Sequence, residues 1–237
     1  MQAISVRRGP PGPFRAGRRR GRALAMLLAL ALAGPGPLAA GALSDLLMAP
    51  GTLPQGAPGT VLARYAQDRH LPPPAAAPEG APSRNLDGAV VTLTAMPPTG
   101  DAPPAVELAR GEGGSPPQPL ARFPASGPNP VLLYFLEGTV RAMAEATGGS
   151  PYYIRNRMRE ALAQAGAGEP APAAGEGARE AVLTPFAADP NAGRMGAFAG
   201  LTLRLLHAGD PPRLLRLSAD TGSAPEGYHD EMRLVEE

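Results

Sequence analysis

The chain has 237 residues, 43% apolar and 18% charged, with 30 glycines, 31 prolines, no cysteine and a formal net charge of +1. Without cysteine there is no disulfide staple and no thiol chemistry, so any folded part is held by its core alone. Seven of the 22 basic residues, all of them arginine, fall in the first 42 positions, which hold no acid; the remainder carries 15 basic against 21 acidic residues, net −6, which argues against a nucleic-acid partner.

Those first 42 residues have the order of a secretory signal peptide: arginines, a wholly apolar run over 23–33, then Gly34-Pro35-Gly36-Pro37 and small residues. Ala40-Gly41-Ala42 puts small side chains at −3 and −1, so cleavage is expected after Ala42 and location in the periplasm or outside the cell follows. The apolar run is too short for a permanent membrane span. Two alternatives stand beside this reading: twin-arginine export through Arg19-Arg20, and retention as an uncleaved anchor. The absence of cysteine excludes a lipoprotein anchor.

Residues 43–85, rich in Pro, Ala and Gly, predict a disordered tether, because such a mixture cannot bury enough apolar area to offset the entropy of ordering. Two apolar islands lie in it, 43–48 and 61–65, readable as transient local structure or as segments that dock on the domain. Residues 86–237 predict a single domain, interrupted by a flexible loop over 165–179.

Within that domain, 88–96 alternates as a strand and 106–108 is a shorter candidate. The stretch 129–162, NPVLLYFLEGTVRAMAEATGGSPYYIRNRMREAL, then predicts two helices joined by a glycine turn. Asn129 and Ser150 are cap residues, each followed by proline at the first helical position, and Gly148-Gly149 ends the first helix. At 100° per residue, Leu132, Phe135, Leu136, Thr139, Val140 and Met143 share one side, with Tyr134, Glu137, Arg141 and Glu145 on the other. The second helix puts Ile154, Met158, Ala161 and Leu162 on an apolar stripe. Strand-like runs follow at 180–186, 200–207, 213–219 and 228–235, separated by turn residues. Short connections favour antiparallel pairing. The expected fold class is therefore α+β: an antiparallel sheet of five or six strands with the two-helix hairpin packed on one face.

Reactive constellations are missing. His70, His207 and His229 stand in no recognisable setting for nucleophilic catalysis, and Gly111-Glu112-Gly113-Gly114-Ser115 is not a nucleophile elbow. His229-Asp230-Glu231 is read as solvated edge residues rather than a metal site, since neighbours on a strand point to opposite faces. Asp189-x-Asn191-x-Gly193 imitates the opening of a calcium loop, but Gly200 stands where the closing glutamate belongs, so an Asp-Pro turn is expected. No catalytic residue, metal ligand or cofactor is assigned, which weighs against an enzyme. The polar cluster that points to a ligand is Tyr152, Arg155 and Arg159 on the outer side of the second helix, with Asn156 beside them, because guanidiniums one turn apart hold a carboxylate or phosphate between them. Arg157, on the other border of the stripe, is expected to pair with an acid or to lie along the sheet.

In the wording of 129–162, and of AVLTPFAADPNAGRMGAFAGLTLRLL over 181–206, the chain resembles a group of uncharacterised exported bacterial proteins over about residues 86–237. That resemblance implies export and no particular activity. The expected function is thus an exported, non-catalytic domain that binds an unknown partner protein or an envelope component, with no permanent membrane span after signal cleavage. The alternative is a carrier or sensor for a small apolar or anionic ligand held between sheet and hairpin, and an enzyme with dispersed catalytic residues is the third reading.

Overall fold

Alternation of apolar and polar residues builds the sheet first. In this computed structural model, which describes residues 42–49, 53–54, 56–72, 84–222 and 227–235, nine strands form one antiparallel sheet. A meander of β1 (Val61–His70), β2 (Leu86–Ala95), β3 (Ala105–Gly111) and β4 (Gln118–Pro124) comes first. A second meander follows the helices: β5 (Glu169–Pro170), β6 (Arg179–Leu183), β7 (Thr202–Ala208), β8 (Arg213–Asp220) and β9 (His229–Leu234). The last strand lies against the first, giving the order β4-β3-β2-β1-β9-β8-β7-β6-β5. Register keeps the buried residues on one face: Leu93 opposite Leu108, Gln67 opposite Met232, Met232 opposite Leu217, Leu217 opposite Leu205. The other face is wet, crossed by pairs such as Arg233–Asp68 and Arg216–Glu180. The signal peptide expected over 1–42 lies outside the described residues but for Ala42.

The helical hairpin covers the apolar face. Helix α2 (Pro130–Thr147) starts where Asn129 Oδ1 accepts from the amides of Val131 (3.0 Å) and Leu132 (3.4 Å). It ends at Gly148, whose φ of 65° is left-handed and costs glycine nothing. Helix α3 (Pro151–Gln164) follows directly, although the Ser150 side chain makes no capping hydrogen bond. Leu132, Phe135, Val140, Met143, Ile154 and Met158 are all buried, as their spacing requires. Each such side chain contributes about 1.5–3 kcal/mol on leaving water, far more than the ion pairs of the outer helix faces.

A sheet of nine strands corrects the expectation of five or six. The three additional strands are β1, β4 and β5, and each evades hydrophobic pattern for its own reason. The buried face of β1 carries Gln67, so a central strand reads as polar. Strand β4 is an exposed edge with Pro119 and Pro124, composition that otherwise signals a loop. Strand β5 has only two residues, inside the expected loop at 165–179. Strand β1 also falls within the expected tether, which is therefore ordered over 61–70; residues 73–83 lie outside the described residues. The island at 43–48 forms helix α1 (Ala42–Met48), which buries Leu43 and Leu47 one turn apart, and the Leu43 amide donates to the Ala165 carbonyl (3.3 Å) beyond α3.

Candidate functional site

Between the hairpin and the β1, β3 and β4 end of the sheet lies a groove of about 790 Å³. Its deep wall is apolar: Leu108 of β3, Leu136 and Val140 of α2, and Met158 and Leu162 of α3 are buried against the core and still line it. Leu120 and Ala121 of β4 form an exposed rim, and Met48 of α1 reaches the groove as well. Five arginines complete the lining, Arg69, Arg110, Arg141, Arg155 and Arg159, with Glu137 as the only acid among the described residues that line it.

Arg155 and Arg159, four apart on α3, both line the groove. Tyr152 does not line it; 77% exposed, it presents its ring to Arg155, whose guanidinium carbon stands 5.6 Å from the ring centroid. Arg155 is further fixed by Glu137, donating from Nε to Oε2 (3.1 Å) and from Nη2 to Oε1 and Oε2 (3.1 and 2.9 Å). Arg141 Nε donates to the same carboxylate at 3.1 Å. Arg159 has no partner among the described residues. Burial alone would raise the Glu137 pKa, but Arg155 and Arg141 outweigh it and hold the carboxyl below the usual glutamate range.

Beneath the groove runs a polar network that the sequence did not disclose. Asp230, fully buried on β9, faces Arg69 directly across the β1–β9 ladder. Its Oδ2 accepts from Arg69 Nε (2.8 Å) and lies 2.7 Å from Nη2, while Oδ1 accepts from Gln67 Nε2 (2.9 Å). Gln67 Oε1 accepts from the Tyr134 hydroxyl (3.0 Å), which itself accepts from Arg110 Nη1 (3.1 Å). Tyr228 brings its hydroxyl to Asp230 Oδ2 (3.3 Å) and to Thr139 Oγ1 (3.1 Å). Burial, with the Asp230 charge beside it, pushes the Tyr228 hydroxyl far above the usual phenol range, so it stays a donor. Burial works against the Arg69 charge, but Asp230 outweighs it and raises the pKa further. Three members of this chain, Arg69, Arg110 and Tyr134, form part of the groove wall.

Gly138 shows how closely the two parts meet. A Cβ at this position in α2 would stand 2.6 Å from Arg69 Nη2. An interior helix glycine costs about 1 kcal/mol relative to alanine, and here it makes room for the guanidinium. That glycine, and Tyr134 on the polar side of α2, were the available signals in the sequence.

Of the two acidic motifs in the sequence, His229-Asp230-Glu231 departs from expectation and Asp189-Pro190-Asn191 forms the expected turn. The reading of His229-Asp230-Glu231 as solvated edge residues fails for Asp230, because β9 is central; His229 faces out and meets Asp220 Oδ2 at 3.0 Å. Asp189 is the buried acid of an Asp-Pro turn: its Oδ1 accepts from the Asn191 amide (2.7 Å), both oxygens accept from the Tyr153 hydroxyl (2.8 Å), and Arg157 Nε lies 2.7 Å from Oδ2. Among the described residues no three His, Asp or Glu side chains are grouped to hold a metal, and no helix is long and apolar enough to cross a membrane.

The groove is thus a preformed concavity with a buried apolar wall and a guanidinium-rich rim, and the described residues that line it include no paired nucleophile and base. No family model, curated protein or solved structure matches the chain.

Proposed function

We propose that the protein is an exported, non-catalytic binding domain, periplasmic or secreted, that acts as a carrier or sensor for a small ligand lodged between hairpin and sheet. The N-terminal arginines, apolar run and small-residue site at 40–42 support export. The groove itself carries the binding reading: a concave, mostly apolar site with a few convergent polar groups is the usual form of a small-molecule site, and about 790 Å³ falls within the usual range of roughly 300–1,000 Å³.

Docking to a partner protein or an envelope component is the second reading. The rim residue Leu120, exposed on edge strand β4, favours it. Strand addition at the sheet edges does not account for it well, because β4 carries Pro119 and Pro124 and β5 carries Pro170, positions without an N–H to offer.

Native mass spectrometry of the protein purified from its own host tests the first reading. A retained small molecule is expected, lost when Ala121 on the exposed rim is replaced by Trp to fill the groove. A ligand-free mass spectrum, together with no uptake of added apolar probes, would remove it.

A further inference from the structure

We infer that the ligand of this groove is a single-chain anionic amphiphile, with its hydrocarbon tail on the apolar wall that Met48, Leu120, Phe123 and Leu133 present and its headgroup held by Arg155 and Arg159. The inference rests on the groove being a binding site and adds the chemistry of what fills it.

The first observation is the gradient of exposure along the lining. Leu108, Val140 and Met158 are each 1% exposed and Leu162 is 3% exposed, yet all four border the groove. They back its floor, and the apolar surface that a ligand meets above them is that of Met48, Leu120, Phe123 and Leu133, where a polar ligand would lose its water without compensation. From Arg155 to Leu162 the helix advances about 10 Å at 1.5 Å per residue, enough to lay an extended chain of several methylenes along it. A compact polar solute has no use for such a wall.

The second observation is the surplus of positive charge at one end. Arg69 is matched by Asp230 and Arg110 by Glu112, while Arg141 and Arg155 share Glu137 and Arg159 has no partner among the described residues. The guanidiniums of the lining thus outnumber the carboxylates that touch them by two. The surplus is concentrated where α2 and α3 meet solvent. Glu137 occupies Nε and Nη2 of Arg155 and Nε of Arg141, which leaves Nη1 of Arg155, both terminal nitrogens of Arg141 and the whole of Arg159 to donate. These are the donors a carboxylate or phosphate takes, in the forked geometry that arginine offers and lysine does not.

Third, the seat is built rather than merely charged. The ring of Tyr152 on one side and Glu137 on the other hold the Arg155 guanidinium in place before any ligand arrives. Fixing that side chain in advance reduces the entropy lost on binding. The predicted cluster Tyr152, Arg155 and Arg159 then divides into one positioning residue and two ligand contacts.

Binding to the full mature chain decides the matter. A neutral fluorescent naphthylamine probe reports occupation of the apolar wall, and dodecanoate, dodecyl phosphate and dodecanol compete for it below their aggregation concentrations. The two anions are expected to bind about tenfold or more tighter than the alcohol, the size of one charge-assisted hydrogen bond. That preference should vanish in Arg155→Gln/Arg159→Gln while the affinity for dodecanol holds. Comparing the two anions separates a carboxylate ligand from a phosphate one. If dodecanol binds as tightly as the anions, or the double variant keeps the preference, the anionic headgroup is wrong and the groove reading survives. If the probe does not bind at all, or Ala121→Trp leaves its binding unchanged in a folded protein, the groove reading itself fails.

Discussion

Two buried carboxylates, Asp230 and Asp189, look alike in isolation and serve different parts of the molecule. Each has a fully buried side chain, a tyrosine hydroxyl and an arginine against it. The partners of Asp189 come from α3 and from its own turn, so it ties one helix to the β6–β7 connection and reaches no further. Asp230 gathers partners from β1 and from Tyr228 just ahead of its own strand, and through Gln67 and Tyr134 the chain extends to α2 and β3. One acid is a local fastening; the other sets the positions of Arg69, Tyr134 and Arg110, which line the groove. Burial and ion pairing thus do not identify a site, whereas a network that opens onto a cavity bears on one.

Asp230→Ala is the severest way to break that contrast. It strands the Arg69 charge, 13% exposed, without its partner, and removal of one member of a buried pair costs about 3–5 kcal/mol. Urea unfolding measures the loss. Replacing both members, Arg69→Met with Asp230→Leu, should recover most of it, because a buried ion pair exchanged for apolar groups of similar volume is often neutral or better. A double variant as unstable as Asp230→Ala would show that Tyr228 and Gln67, not Arg69, set the cost.

Asp189→Asn should cost less, about 1–3 kcal/mol at neutral pH, since it weakens hydrogen bonds without leaving a fully desolvated charge. Burial alone would raise the Asp189 pKa, but the Asn191 amide, Tyr153 and Arg157 together hold it below the usual aspartate range. A lowered folded-state pKa means that the acid's contribution is complete above the unfolded value, about 3.9, and fades as pH falls through the folded one. The gap in stability between wild type and Asp189→Asn should therefore be constant from pH 7 down to about 5 and close below about 4. A gap that closes near pH 6 would place its origin elsewhere.

How far the sequence reveals this follows the same contrast. The Asp189 turn is spelled Asp-Pro-Asn over three residues, and the hairpin is fixed by Asn129, Pro130, Gly148 and Pro151; local chemistry is enough for both. Arg69 and Asp230 stand 161 residues apart, and only the β1–β9 pairing brings them together. Strand β1 was itself hidden, because a strand that buries Gln67 and carries Arg69 beside a network lacks the apolar alternation that marks β2 and β7. Of the groove, Arg155 and Arg159 could be read from helical spacing, whereas Arg69 and Arg110 wait on strand order.

A smaller effect sharpens the link between network and groove. Gly138→Ala gains up to about 1 kcal/mol in helix propensity but places a methyl against Arg69 Nη2, and overpacking costs about 1–3 kcal/mol. Because Asp230 holds the guanidinium in place, a net loss of up to about 2 kcal/mol is expected in thermal or urea unfolding. In the Arg69→Met/Asp230→Leu background the sign should reverse, with alanine now stabilising. A double-mutant cycle that finds the two sites additive would mean that Arg69 moves aside freely and that the glycine has another cause.

The smallest change in stability belongs to the third carboxylate, Glu137, at the rim. Its partners Arg141 and Arg155 are 78% and 37% exposed in their side chains, and solvent-exposed pairs are worth about 0–1 kcal/mol. Glu137→Gln should therefore leave unfolding nearly unchanged at pH 7, and any deficit should fade as the pH falls below the ordinary glutamate value of about 4.3. Its effect on binding points the other way. The wild-type carboxylate holds Arg155 in place, but it also sets a negative charge beside an incoming anion, and that repulsion is the larger effect, so the neutral amide should tighten dodecanoate while dodecanol binds as before. Weaker anion binding in the variant would mean that orienting Arg155 outweighs the repulsion between the carboxylate and the ligand.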